Sequence, residues 1–167
     1  SLASRIAVGF GIPLTTSHSL PYEKYFYLGG ANSMRGWKFR SLGPGSYNEP
    51  DTLTTDKIGE ISLELNLEYR FPIYKFFRGA VFADAGNVWL RKQNSLFPGG
   101  EFKINRFYRE IALDAGLGLR VDFEYFLVRL DWAVPLKNPS LPEGSRWIFD
   151  DGNKLKVLWN IGVGYPF

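Results

Sequence analysis

From Gly59 to Ile73 apolar and polar residues alternate without a break. Ile61, Leu63, Leu65, Leu67, Tyr69, Phe71 and Ile73 fall on one face, and Glu60, Ser62, Glu64, Asn66, Glu68 and Arg70 on the other. A period of two predicts a two-faced strand, and this one exceeds the roughly five or six residues usual in globular proteins. It suits a tilted membrane strand of about 9 to 11 residues with some overhang. The pattern recurs along the chain. Arg5 to Ile12 sets Ile6, Val8, Phe10 and Ile12 against Arg5, Ala7, Gly9 and Gly11. Phe76 to Trp89 places Arg78, Ala80, Phe82 and Asp84 on one face and Val81, Ala83 and Ala85 on the other. Glu110 to Phe123 and Tyr125 to Leu136 alternate in the same way, and a last strand carries Leu155, Val157, Trp159, Ile161, Val163, Tyr165 and Phe167 on one face.

The connections between these six expected strands run long (13–57), short (72–75), long (91–106), very short (near Glu124) and long (137–153). Such alternation predicts an all-β, antiparallel transmembrane barrel segment with extended external loops and tight periplasmic turns, its C-terminus periplasmic. Bacterial barrels need an even number of at least about eight strands, and an open sheet would leave unpaired edges in lipid. The expectation is therefore one domain over residues 1–167 that forms the C-terminal part of a barrel, with N-terminal strands and any periplasmic domains absent. The Ser at position 1 and the lack of a signal sequence agree with an internal or processed fragment.

Composition sharpens this picture. Aromatic residues make up 17% of the chain, which is high for a soluble domain, and no apolar run reaches the length of a transmembrane helix. There is no cysteine and a single histidine, His18, so thiolate or histidine metal sites are not expected, nor is any cofactor. The net charge of +3 comes from scattered Lys and Arg without a basic stripe, so nucleic acid is not an expected partner.

The stretch Leu28 to Pro44, LGGANSMRGWKFRSLGP, joins several glycines to an arginine set among bulky apolar residues. It lies in the connection 13–57, which is far longer than ordinary ones and carries Tyr22, Tyr25, Phe26, Tyr27, Trp37 and Phe39. We read it as an external loop folded back into the lumen. In Met34-Arg35-Gly36-Trp37, Gly36 permits a tight or left-handed turn that sends Arg35 and Trp37 in different directions. A guanidinium in a confined lumen needs acidic partners, and Glu68 and Asp84 on the polar faces supply them. Phe82, on the same face as Asp84, needs something to pack on, for which Trp37 or the loop around it is the candidate.

The segments GGANSMRGW, NLEYRFP, FADAGNVW and IGVGYPF, in this order, resemble the C-terminal barrel region of the BamA/TamA-like outer-membrane assembly factors, the bacterial surface antigen superfamily. The resemblance spans essentially the whole chain. It implies that the loop motif Met34, Arg35, Gly36 and Trp37 pairs with Glu68 and Asp84 on the inner wall, with Phe82 and Gly86 completing an F-x-D-x-G element. Met34 and Trp37 stand where the family has a β-branched residue and Phe or Tyr. The ending implies an insertion signal with Phe167 as the native C-terminus. Gly162, Gly164, Tyr165, Pro166 and Phe167 would then form a weak seam, since Pro166 cannot donate a ladder hydrogen bond and the glycines weaken packing.

The implied function is non-enzymatic assembly or insertion of proteins in the outer membrane of a Gram-negative bacterium. Its partners would be outer-membrane lipid, unfolded client proteins and accessory subunits. Two alternatives within the superfamily are a two-partner secretion transporter and the barrel carrier of a patatin-like lipase. A barrel hydrolase ranks lower, because Ser17-His18-Ser19 sits on a loop with no G-x-S-x-G element. A glycosidase-like pair of carboxylates ranks low too, because a positioned Arg favours two ionised groups where catalysis needs one protonated. A passive pore leaves the Arg loop unexplained.

Overall fold

A computed structural model describes residues 1–13, 20–48, 56–123, 125–149 and 156–167. His18 with its flanking serines, the turn at Glu124, and Leu155 lie outside these. The described residues form one open, antiparallel sheet of six strands in sequence order: β1 (Leu2–Phe10), β2 (Ile61–Tyr74), β3 (Phe77–Trp89), β4 (Ala112–Asp122), β5 (Leu127–Lys137) and β6 (Leu158–Val163). Besides these, the described residues contain two short 3-10 turns, Tyr22–Lys24 and Phe107–Arg109, and no helix long and apolar enough to cross a membrane.

The period of two survives in the pairing. Leu65 of β2 lies opposite Ile6 of β1 and Ala85 of β3, while Asn66 lies opposite Arg5 and Asp84. One face is thus apolar across the sheet and open to the surroundings, with Ile6, Val8, Leu67, Val81, Leu117, Trp159, Ile161 and Val163 all exposed. A continuous exposed apolar face of this kind is unstable in water and is what a hydrocarbon environment requires. The other face is polar, yet Glu64, Asn66, Glu68, Asp84, Asp114, Arg120, Arg129 and Asp131 on it are buried. What buries many of them is the segment between β1 and β2.

Element boundaries differ from the sequence expectation in instructive ways. β2 does not stop before Pro72 but runs to Tyr74, and the link to β3 shrinks to Lys75 and Phe76, with Lys75 at φ 46°. Pro72 is tolerated because the ladder shifts register between it and Tyr74, near the strand's end. The larger correction concerns the last strand, expected through Phe167. β6 ends at Val163, and Gly164, at φ 81°, breaks the extended path while its N–H donates to the Leu127 carbonyl. Tyr165 and Phe167 therefore leave the apolar face. The Arg70 guanidinium lies 4.1 Å from the Tyr165 ring centre, and that of Arg5 5.7 Å from Phe167. Cation–π attraction to arginines on the polar face holds these aromatics where alternation alone would have sent them to the other side.

Candidate functional site

The loop between β1 and β2 is fastened to the sheet at several levels. Near its start, Phe26 and Gly59 exchange backbone hydrogen bonds, and Leu28 forms an isolated bridge with Leu42, closing the stretch between them into a lobe. At the lobe's far side the Gly45 N–H donates to the Val88 carbonyl at 2.7 Å, and the Asn87 amide donates to the Gly45 carbonyl at 2.9 Å. Between these ties Leu28, Met34, Trp37 and Leu42 pack with Val88 of β3 and Ala112 of β4 into a small apolar core. A loop rich in Gly and Ser thus has its own buried apolar cluster, which offsets the entropy of ordering it. On its outer surface Tyr22, Arg40 and Asp56 form an exposed clasp, where hydrogen bonds from the Tyr22 hydroxyl and then Arg40 hold the Asp56 carboxyl below the usual carboxylate range.

Arg35 sits beneath the lobe, fully buried. Its Nε and Nη2 donate to the two oxygens of Asp84 at 2.8 and 2.9 Å, and its Nη1 donates to Glu68 Oε2 at 2.6 Å. The planar fork spans two carboxylates on adjacent strands, a geometry an ammonium cannot copy. Phe82 lies under the guanidinium, whose central carbon is 3.4 Å from the ring centre. The loop does supply Phe82's packing partner, but through Arg35 and not Trp37, which turns to the apolar core. Gly116 of β4 makes space for that ring: a Cβ there would come within 2.4 Å of Phe82 Cζ.

Gly36 is needed for a different reason than a left-handed backbone. Its φ is not in the left-handed region; the Trp37 N–H donates to the Met34 carbonyl at 3.1 Å, closing a tight turn. What excludes a side chain is proximity to Asp114. The Gly36 N–H donates to Asp114 Oδ2 at 2.9 Å, and a Cβ on Gly36 would lie 2.5 Å from Asp114 Cβ. Gly36→Ala should therefore displace the lobe with every charge retained, an overpacking cost of about 1–3 kcal/mol. Faster tryptic cleavage after Lys38 and Arg40 in folded protein is the expected readout, and cleavage as slow as in the parent would refute the close-approach explanation. Gly86 is confined similarly, since a Cβ would meet the Leu63 carbonyl oxygen at 2.5 Å.

Several members of the site carried no obvious signal in the sequence. Glu68 Oε2 is shared with Arg120 Nη2 at 3.1 Å, and its Oε1 accepts from Arg70 Nε at 2.7 Å. Arg120 continues to Asp131, which accepts from Arg129 Nη1 at 3.2 Å. Arg129 in turn reaches the loop, donating to the Ala31 carbonyl at 2.8 Å and to the Asn32 side chain. Asn160 of β6 donates to the Arg35 carbonyl at 2.9 Å, and Asn66 donates to both Asp84 and the Ser33 carbonyl. The alternation had put Arg120, Arg129, Asp131 and Asp114 on polar faces. It could not say that Arg129 and Asp114 meet the lobe while Arg120 and Asp131 link it to Glu68, because register between strands is set by the ladder and not by any single strand.

An all-β antiparallel sheet, apolar on its open face and polar on the face that carries a docked loop, defines a transmembrane β-barrel segment. The chain belongs to the Omp85 superfamily, whose domain model matches residues 1–155. It is similar to the outer membrane protein assembly factor BamA of Neisseria meningitidis serogroup B (strain ATCC BAA-335 / MC58), with 27% identity over 168 residues covering 88% of this chain. The chain spans 20% of that relative's length. An outer-membrane β-barrel is accordingly its structural class and setting.

Proposed function

We propose that this chain is the C-terminal part of the barrel of an outer-membrane protein assembly factor that inserts client strands without catalysing a covalent reaction. In this reading residues 13–57 form an external loop folded into the lumen, the turns after β2 and β4 face the periplasm with the C-terminus, and the N-terminal strands and any periplasmic domains belong to the rest of the protein. The observation that carries the proposal is the buried bridge from Arg35 to both Glu68 and Asp84. A pore gains nothing from closing its lumen with a charge-locked lobe, whereas a machine that must hold a barrel in shape while one edge opens needs a fixed internal brace. The BamA relative supports the same reading.

The edge in question is β6. It has six residues, and among the described residues it is the shortest strand and its free side has no strand partner. Gly162 weakens it from within, Gly164 ends it, and Tyr165, Pro166 and Phe167 fold away from the ladder, so these residues form the proposed seam at which a client strand pairs. The test is reconstitution of the full-length protein in liposomes with an unfolded barrel client, following client folding by heat-modifiable mobility. Client folding well above that in protein-free liposomes is expected. Equal rates with and without the protein would overturn the reading.

A further inference from the structure

At the loop end of the sheet, β5 carries a bulge: Pro135 pairs with Asp114 and Lys137 with Leu113 across a register shift. Asp114 belongs to the polar face and Leu113 to the apolar one, so the bulge moves Lys137 onto the apolar face, where strict alternation from Arg129 and Asp131 would have kept it on the polar side. On Lys137's other flank Trp147 forms an isolated antiparallel bridge, with the Lys137 Nζ 5.8 Å from its ring centre. Arg109, Lys137, Glu143, Gly144, Arg146 and Trp147 line a pocket of about 350 Å³ here. Arg146 is held in place by donating to the Leu141 and Arg109 carbonyls at 3.0 and 3.3 Å. Glu143, 3.9 Å from Arg146 and largely exposed, is the acid among the described residues that lines the pocket. Three cations against one solvated carboxylate, beside a half-exposed Trp, make a site for an anion at a membrane interface.

A second depression, of about 450 Å³, lies among residues of the sheet's apolar face. Its walls include Leu113 and Leu136, the immediate neighbours of Lys137, and Leu65 and Leu67 of β2; its floor is Ala83 and Ala85 of β3. Ala85 lies between Leu65 and Leu113 in the ladder, so small residues flanked by leucines form a trough running from the loop end toward the middle of the sheet. An anion pocket whose Lys137 neighbours two leucines of an apolar trough on a lipid-facing surface matches one kind of molecule. We infer that Arg109, Lys137 and Trp147, with the trough over Ala83 and Ala85, form a binding site for a single phosphate-bearing, acylated lipid of the outer leaflet. The phosphate would sit between Arg109 and Lys137 and one acyl chain would lie in the trough. The inference rests on the orientation proposed above, which puts the loop end outside.

The test uses the full-length protein in detergent, with native mass spectrometry counting bound molecules. The probes are phosphorylated lipid A, the same glycolipid stripped of its phosphates, and inorganic phosphate. The phosphorylated lipid should be retained about tenfold better than the stripped form, a preference that falls with added salt. Inorganic phosphate should not be retained. Arg109→Gln with Lys137→Gln should abolish the preference between the two lipids, and Ala85→Phe, which fills the trough, should lower retention of both. Equal retention of the two lipids by the parent, tight retention of inorganic phosphate alone, or indifference to both variants would each overturn the site. Glu143→Cys separates this failure from that of the orientation: labelling by an impermeant maleimide on intact cells is expected, and its absence would remove the external placement while leaving the pocket's chemistry to the binding data.

Discussion

Arg35→Ala is expected to release the lobe between Leu28 and Gly45 while leaving the six strands paired. The strands are held by their own ladders and by lipid on the apolar face, whereas the lobe's deepest tie is one guanidinium shared by two carboxylates. Removing one partner of a buried pair costs about 3–5 kcal/mol, on the order of a thousandfold in the ratio of docked to released lobe. The two carboxylates are not left equal. Glu68 keeps Arg120 and Arg70, while Asp84 keeps the neutral amide of Asn66 and stands opposite another carboxylate, Asp114. Asp84 is therefore the stranded charge. Asp84→Asn in the Arg35→Ala background should recover part of the loss, and Glu68→Gln should recover less. Trypsin cleavage after Lys38 and Arg40 in folded full-length protein measures release. Arg35→Lys should fall between parent and Ala. Unchanged protection in Arg35→Ala would remove the brace from the proposed function, and a better rescue by Glu68→Gln would reverse the assignment of the stranded charge.

The parts of this arrangement that were legible in the sequence are those governed by local periodicity. Alternation from Glu60 to Ile73 named the faces of β2 correctly because a strand's faces follow from covalent geometry alone. The pairing of Arg35 with Glu68 and Asp84 was legible for a chemical reason: a lone arginine among apolar residues in a glycine-rich loop must find acids, and the polar faces offered them. The rest depended on contacts between distant strands. Arg129 meets the loop at Ala31 and Asn32, 98 and 97 residues away, and no pattern within β5 encodes that meeting. The tight turn at Gly36 was legible, but the approach of Asp114 that also excludes a side chain there was not, since a glycine selected by an approaching side chain looks in sequence like one selected by its turn. The tail failed for a related reason. Tyr165 and Phe167 continue the apolar phase of β6, and only Gly164 with the arginines across the sheet redirects them.

Ile6→Arg should cripple assembly into the membrane where Ala7→Arg is tolerated, though the two positions are adjacent. Ile6 is 73% exposed on the apolar face near the middle of β1, opposite Leu65. A guanidinium there faces hydrocarbon, at a cost of about 2–4 kcal/mol near the midplane, against a typical net stability of about 5–15 kcal/mol. Ala7 lies opposite Glu64 on the polar face. An arginine at that position meets a carboxylate in a wetter setting and one that already accepts an ion pair from Arg5. On the lumen side the added guanidinium can hydrate or share Glu64 with Arg5, so its effect should be small. Adjacent positions are the most sensitive test available, because a slip of one residue in the pairing would exchange the two outcomes. The folded fraction of full-length protein, read from heat-modifiable mobility after refolding into lipid vesicles, should drop severely for Ile6→Arg and stay near the parent value for Ala7→Arg. Equal yields would mean that neither face meets hydrocarbon, and a worse yield for Ala7→Arg would mean that the faces are inverted. Either result removes the membrane assignment of the apolar face, and with it the lipid site built over Ala83 and Ala85.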